Sequence, residues 1–149
     1  MEIIEYFSSS NKVYWLSKIK ESDWDAAQYL HELLKNDKLK ELVGESTRVF
    51  LLTDVDELVS FCTLAELDDV QPTSLTPWVG WIYTFPHFRG HRCAGELLSF
   101  AENIAFSDGY SALYISTNHT GLYEKYGYEF FRVMKDISGE DTRVYVKHL

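Results

Sequence analysis

Apolar and polar positions change their spacing several times along this chain, and each change marks an element. MEIIEYF (1–7) reads as a short opening strand, and KVYWLSKI (12–19) is ambiguous. Trp24, Ala27, Leu30 and Leu34 then share one helical face with Leu33 beside it. This predicts a helix opened by Ser22 or Asp23, both good caps, and running to about Lys35. A short helix over Leu39–Val43 stops at Gly44. TRVFLL (Thr47–Leu52) and LVSFCTLA (Leu58–Ala65) flank a turn at Asp54–Glu57 and make a hairpin. WVGWIYT (Trp78–Thr84) is a fourth strand, with Gly80 as its candidate bulge.

Gly90–Ser107 carries the strongest helical pattern. Ala94, Leu97, Leu98, Ala101, Ile104 and Ala105 recur at three- and four-residue steps, so one stripe faces a sheet, and Asp108-Gly109 ends the helix. Ala112–Ser116 is the next strand. Strand, long helix and strand in this order predict a parallel βαβ pair. Gly121–Tyr126 is a short helix closed by Gly127. Glu129–Asp136 and Thr142–Lys147 form a last hairpin through Ser138-Gly139. The order predicts an α+β fold in one domain over 1–149: a mixed, mostly antiparallel sheet with helices on both faces.

Composition narrows the class. With 149 residues and 46% apolar side chains, the chain can bury a core of its own. Asp and Glu outnumber Lys and Arg by 23 to 14, which argues against nucleic acid as a partner. No apolar run approaches the ~20 residues of a membrane helix. The opening residues lack a basic start followed by a hydrophobic stretch, so no signal peptide is expected. Cys62 and Cys93 have no metal-like spacing and read as free thiols of a reducing cytoplasm.

One stretch runs against the acidic balance. FPHFRGHRCAG (85–95) gathers Arg89, Arg92, His87, His91 and Gly90 where the fourth strand hands over to the long helix. The first amides of a helix lack intrahelical partners and carry partial positive charge, so a tight turn feeding them suits an anion. Arg89 and Arg92 add charges matched to phosphate geometry. There is no GxxxxGK[ST], no GxGxxG after the first strand and no GxSxG. Phosphate chemistry outside the common nucleotide motifs remains.

FRGHRCAGELLSFAENIA resembles motif A of the GNAT (GCN5-related N-acetyltransferase) superfamily, written [R/Q]-x-x-G-x-[G/A] after the fourth strand. Arg89 takes the first place and Ala94 the last, while Arg92 stands where the pattern has its central glycine. YISTNHTGLYEKYGYEF resembles the family's later motif, with Tyr123, Glu124, Lys125, Gly127 and Tyr128 in place. The two motifs lie one βαβ crossover apart, and the strand order fits nearly the whole chain.

The resemblance implies an acetyl-CoA-dependent N-acetyltransferase whose cosubstrate lies where the fourth and fifth strands splay. It implies that the backbone of Tyr83, Thr84 and Phe85 pairs with the pantetheine arm. Amides across Arg89, Gly90, His91, Arg92, Cys93 and Ala94 would hold the pyrophosphate, with Asn118 as a further contact. A primary amine attacks the thioester directly, a backbone amide of the fourth strand serves the oxyanion, and Tyr123 is the general acid for the leaving sulfur. The fourth strand has no carboxylate, so the base is sought in Glu66, Asp68 and Asp69, which precede a proline-bounded loop, or in His119. These acids suit a cationic acceptor such as a polyamine, an aminoglycoside, a lysine or a protein N-terminus. His87 and His91 lack a third ligand, so no metal is expected. Two further readings stay open: a module of the same fold that binds acyl-CoA without turnover, and an enzyme for a longer acyl chain. Family members often form homodimers, which the aromatic content allows.

Overall fold

The structure, a computed structural model, describes residues 1–149. Seven strands form one sheet in the order β1-β2-β3-β4-β5-β7-β6: β1 Glu2–Glu5, β2 Arg48–Asp54, β3 Glu57–Ala65, β4 Trp78–Thr84, β5 Ala112–Thr117, β6 Glu129–Lys135 and β7 Asp141–His148. Every pairing is antiparallel except β4 with β5, the pair that the intervening helix demanded. The helices are α1 Lys12–Lys20, α2 Asp25–Lys35, α3 Leu39–Val43 and α4 Cys93–Ser107.

Strand alternation sorts the core into two layers. Phe50 and Leu52 of β2 join Cys62, Val79 and the buried stripe of α4 (Cys93, Leu97, Leu98, Ala101, Ala105) on one face. Val49 and Leu51 pack on the other face with Trp15 and Ile19 of α1 and Ala27, Leu30 and Leu34 of α2. β2 and β3 are covered on both sides, which is why their sequences run apolar instead of alternating.

Three local readings change. KVYWLSKI is helical: Trp15 and Ile19, one turn apart, bury against α2 and β3. α2 begins at Asp25, and neither Ser22 nor Asp23 caps it. The Ser22 hydroxyl donates to the Ile19 carbonyl at 2.8 Å, and Asp23 accepts from the Tyr83 hydroxyl. α4 begins at Cys93 and not at Gly90, because residues 90–92 are spent on a reversal.

Candidate active site

β4 and β5 pair only at Trp78–Tyr114 and Val79–Ile115, then part. β5 continues straight along β7 to Thr117, while β4 follows β3 through a register shift opposite Cys62. The extra residue falls at Trp81–Ile82, and Trp81 takes φ +47°. The bulge is therefore one residue past Gly80. Gly80 has a different role: the Asp68 carboxyl lies where a Cβ would be. The gap between the strands opens into a cleft of about 890 Å³, inside the ~300–1,000 Å³ range of small-molecule sites.

The turn 85–95 forms one wall. Pro86–Phe88 make a single 3-10 turn. Gly90 (φ +84°) and Arg92 (φ +59°) then reverse the chain into α4. Left-handed backbone suits glycine and strains arginine by ~1–2 kcal/mol, so the motif's glycine at Arg92 has a conformational basis. The first helical bond is Glu96 N–H to the Arg92 carbonyl at 3.2 Å. The amides of residues 90 to 95 have no acceptor within the protein. They lie beside the side chains of Arg89, Arg92 and Lys125, which line the cleft. Amide dipoles and cations converge there on space large enough for a phosphorylated ligand.

Arg89 is held in place. Its Nε donates to the Thr84 carbonyl at 3.0 Å, its guanidinium lies 3.8 Å from the Asp23 carboxylate, and it sits 5.5 Å from the Tyr83 ring centre. The Tyr83 hydroxyl holds the Asp23 carboxyl below its ordinary range, and Arg89 adds to this. The α1–α2 junction, β4 and the basic turn are thus tied together through Asp23, Tyr83 and Arg89.

Of the predicted backbone contacts, only the Thr84 N–H is left available, since its carbonyl already accepts from Arg89. The Phe85 amide donates to the Val59 carbonyl at 3.0 Å, and Phe85 does not line the cleft. Antiparallel alternation then directs the backbone of Tyr83 to Phe61 and that of Thr84 to the cleft. Gly90, Arg92, Cys93 and Ala94 line the cleft, whereas His91 and Asn118 do not.

Tyr123 reaches the cleft from the short 3-10 segment Tyr123–Tyr126. It is buried, its hydroxyl makes no hydrogen bond within the protein, and burial pushes its pKa up to about 12. The segment is braced from below. Lys147 donates to the Tyr126 carbonyl at 2.8 Å and to Glu102 at 2.9 Å, and Tyr128 donates to the other Glu102 oxygen at 2.9 Å. Gly95 lets α4 approach the Tyr126 ring, which a Cβ would meet at 2.6 Å.

The three loop acids separate. Glu66 faces away from the cleft and accepts from Ser46 N–H at 3.1 Å and Ser46 Oγ at 2.7 Å, which holds its pKa down; it cannot serve the cleft. Asp68 and Asp69 lie side by side near Gly80 and Ser116, one residue beyond the last β4–β5 pair. Burial first, then the neighbouring carboxylate, pushes Asp68 up to about 8. Burial also raises Asp69, against the pull of the Ser116 hydroxyl. Asp69 Oδ1 is buried and accepts no hydrogen bond. His119 lines the cleft, while His87 and His91 are exposed on the turn. Nowhere do three His, Cys, Asp or Glu side chains gather as metal ligands would. Cys62 and Cys93 are free and buried; burial raises the Cys62 thiol to about 12 and leaves it inert. No helix is long and apolar enough to cross a membrane.

A splayed parallel pair, a bulged β4 and a basic turn at a helix start define an acyl-CoA transferase type of fold. A profile of the Acetyltransferase (GNAT) family matches residues 11–128, and the chain belongs to that family. No curated protein matches its sequence. Among similar solved structures, a GNAT-family protein from Desulfovibrio desulfuricans is 15% identical, with TM-score 0.69 over 99% of this chain and 98% of the other. A GNAT acetyltransferase from Elizabethkingia anophelis with acetyl-CoA bound is 17% identical (TM-score 0.68, 99% and 97% covered). The aminoglycoside 6'-N-acetyltransferase from Enterococcus faecium gives the same figures, 17%, 0.68, 99% and 97%. At these identities the likeness is one of fold.

Proposed function

We propose that this chain is an N-acetyltransferase that moves an acetyl group from acetyl-CoA to a primary amine. The observation that carries the reading is the row of unaccepted amides at residues 90–95, set beside Arg89, Arg92 and Lys125 where β4 and β5 part. These groups fit a pyrophosphate, and the Thr84 backbone beside them fits an extended amide-bearing arm. Acetyl-CoA held there supplies an activated acetyl thioester.

The chain's own groups cover the proton movements. Asp68 and Asp69 stand at the splay and do not both ionise easily: burial raises both, the Asp69 charge raises Asp68 further, and Asp68 hydrogen-bonds to Asp69 and pulls it back down, so the proton rests first on Asp68. The ionised member takes a proton from the acceptor ammonium. Its raised pKa brings it closer to that of an alkylamine, which makes this transfer less uphill than to an ordinary carboxylate. Tyr123 is fully protonated at neutral pH. With its pKa raised, it acts on the departing sulfur as a hydrogen-bond donor more than as a strong acid.

Calorimetric titration tests the reading with acetyl-CoA and with acetyl-pantetheine, which lacks the nucleotide half. Micromolar binding that requires the nucleotide half is expected. Equal affinity for both, or none for either, would remove the phosphate role of the turn.

A further inference from the structure

A second cavity, about 240 Å³, lies between α2 and β4. Trp24, Trp81 and Ser116 line both it and the main cleft, so the two spaces adjoin at the splay. Its walls are aromatic and fixed. Trp81 Nε1 donates to the Ala26 carbonyl at 2.7 Å, Tyr29 tilts against Trp81 at 6.3 Å, and Trp24 stacks on Tyr83 at 5.8 Å. Trp24 and Tyr29 nevertheless keep 37% and 49% of their surface exposed, an aromatic rim with little cover from the chain itself. Asp68 and Asp69 line the same cavity, and the buried Asp69 Oδ1 has an acceptor valence unfilled.

Aromatic faces beside one unfilled carboxylate oxygen suit a single ammonium, through cation–π attraction and a charge-assisted hydrogen bond. The size and the lining together narrow what carries that ammonium. At about 240 Å³ the cavity falls just below the ~300 Å³ where drug-sized sites begin. Apart from the two acids and Ser116 the lining is apolar or aromatic, with Ala26, Leu42 and Ile137 completing it. A hydrated polycationic sugar would lose its water there with only one carboxylate pair to replace it.

We infer that the acceptor is a primary amine on a small apolar or aromatic body, seated among Trp24, Tyr29 and Trp81 with its nitrogen toward Asp69 and the splay. The acceptor role rests on the transferase reading above. In balance, the ammonium and the thioester give the amide, the free thiol and one proton. The nitrogen yields its first proton to the Asp68–Asp69 pair. The C–N bond forms as the C–S bond breaks, and the second N–H proton goes to sulfur.

Tryptophan fluorescence of the full chain tests this with 2-phenylethylammonium and, separately, kanamycin. Saturable quenching by phenylethylammonium is expected, at least tenfold tighter than by kanamycin. Ala26→Leu fills the cavity without touching the main cleft and should weaken the amine at least tenfold, leaving acetyl-CoA affinity within twofold. Tyr29→Ala, at an exposed wall, should weaken it about fivefold. Thiol release with acetyl-CoA present should follow the same order of amines. No saturable quenching, indifference to both variants, or a preference for kanamycin would overturn the pocket assignment while leaving acetyl-CoA binding to judge the transferase reading. Quenching without thiol release would overturn the acceptor role alone.

Discussion

Gly80→Ala puts the reading of the splay at risk with one methyl group. A Cβ at this position would overlap Asp68 Oδ1 and stand 2.8 Å from its Cγ and 3.2 Å from Thr63 Oγ1. Thr63 is 1% exposed and belongs to β3, so the carboxyl must give way. Displacement of a catalytic group by ~1 Å can cost about 100-fold in rate. Overpacking a filled interior costs ~1–3 kcal/mol. At ~2–4 °C per kcal/mol for a chain of this size, the melting temperature should fall by roughly 2–12 °C. The amides of residues 90–95 lie on the far side of the bulge, so the acetyl-CoA Kd should stay within about twofold, since additivity holds for sites without shared partners. The assay pairs thermal unfolding and calorimetry with single-turnover amine acetylation. Full turnover together with an unchanged melting temperature would refute the argument, because it would mean that Asp68 does not rest on β4 in solution. Lost acetyl-CoA binding would refute the separation of the two halves of the cleft.

Tyr123→Phe should lower turnover by about 10- to 100-fold at unchanged acetyl-CoA affinity; single-turnover rates at wild-type levels would remove its role. Arg92→Gly and Arg92→Ala both delete the guanidinium and should weaken acetyl-CoA alike. Only glycine takes φ +59° without strain, so the glycine variant should unfold later, by about 1 kcal/mol; equal stability would deny the left-handed backbone. The Asp68 carboxyl is raised in the folded chain by burial and by Asp69, so between the unfolded value of 3.8 and about 8 the folded state holds the extra proton. Stability should therefore fall as pH rises through that window, and Asp68→Asn should flatten the fall in melting curves taken at pH 5, 6.5 and 8. A wild-type melting temperature that rises across this window would contradict the burial of the pair.

Periodicity along the chain was enough for most of the fold. The stripe of α4, the continuous apolar runs of β2 and β3, and the strand–helix–strand order with its parallel pair are all local or nearest-neighbour properties of the sequence. KVYWLSKI resisted reading because a nine-residue helix owes its stability to what it packs on, here α2 and β3, and not to its own pattern. The basic turn was legible as well, because charge and a helix start coincide within eleven residues.

Tertiary structure decided what sequence order could not. Glu66, Asp68 and Asp69 are near neighbours in the chain, yet one serves a serine at the surface and two meet at the splay. That division depends on the missing Cβ of Gly80, a strand away. Asp23 looked like a helix cap until Tyr83, sixty residues on, claimed it. Residues far apart in sequence share a site only after the sheet has closed, and desolvation, which raises the pKa of Asp68 and of Tyr123, exists only once each is buried.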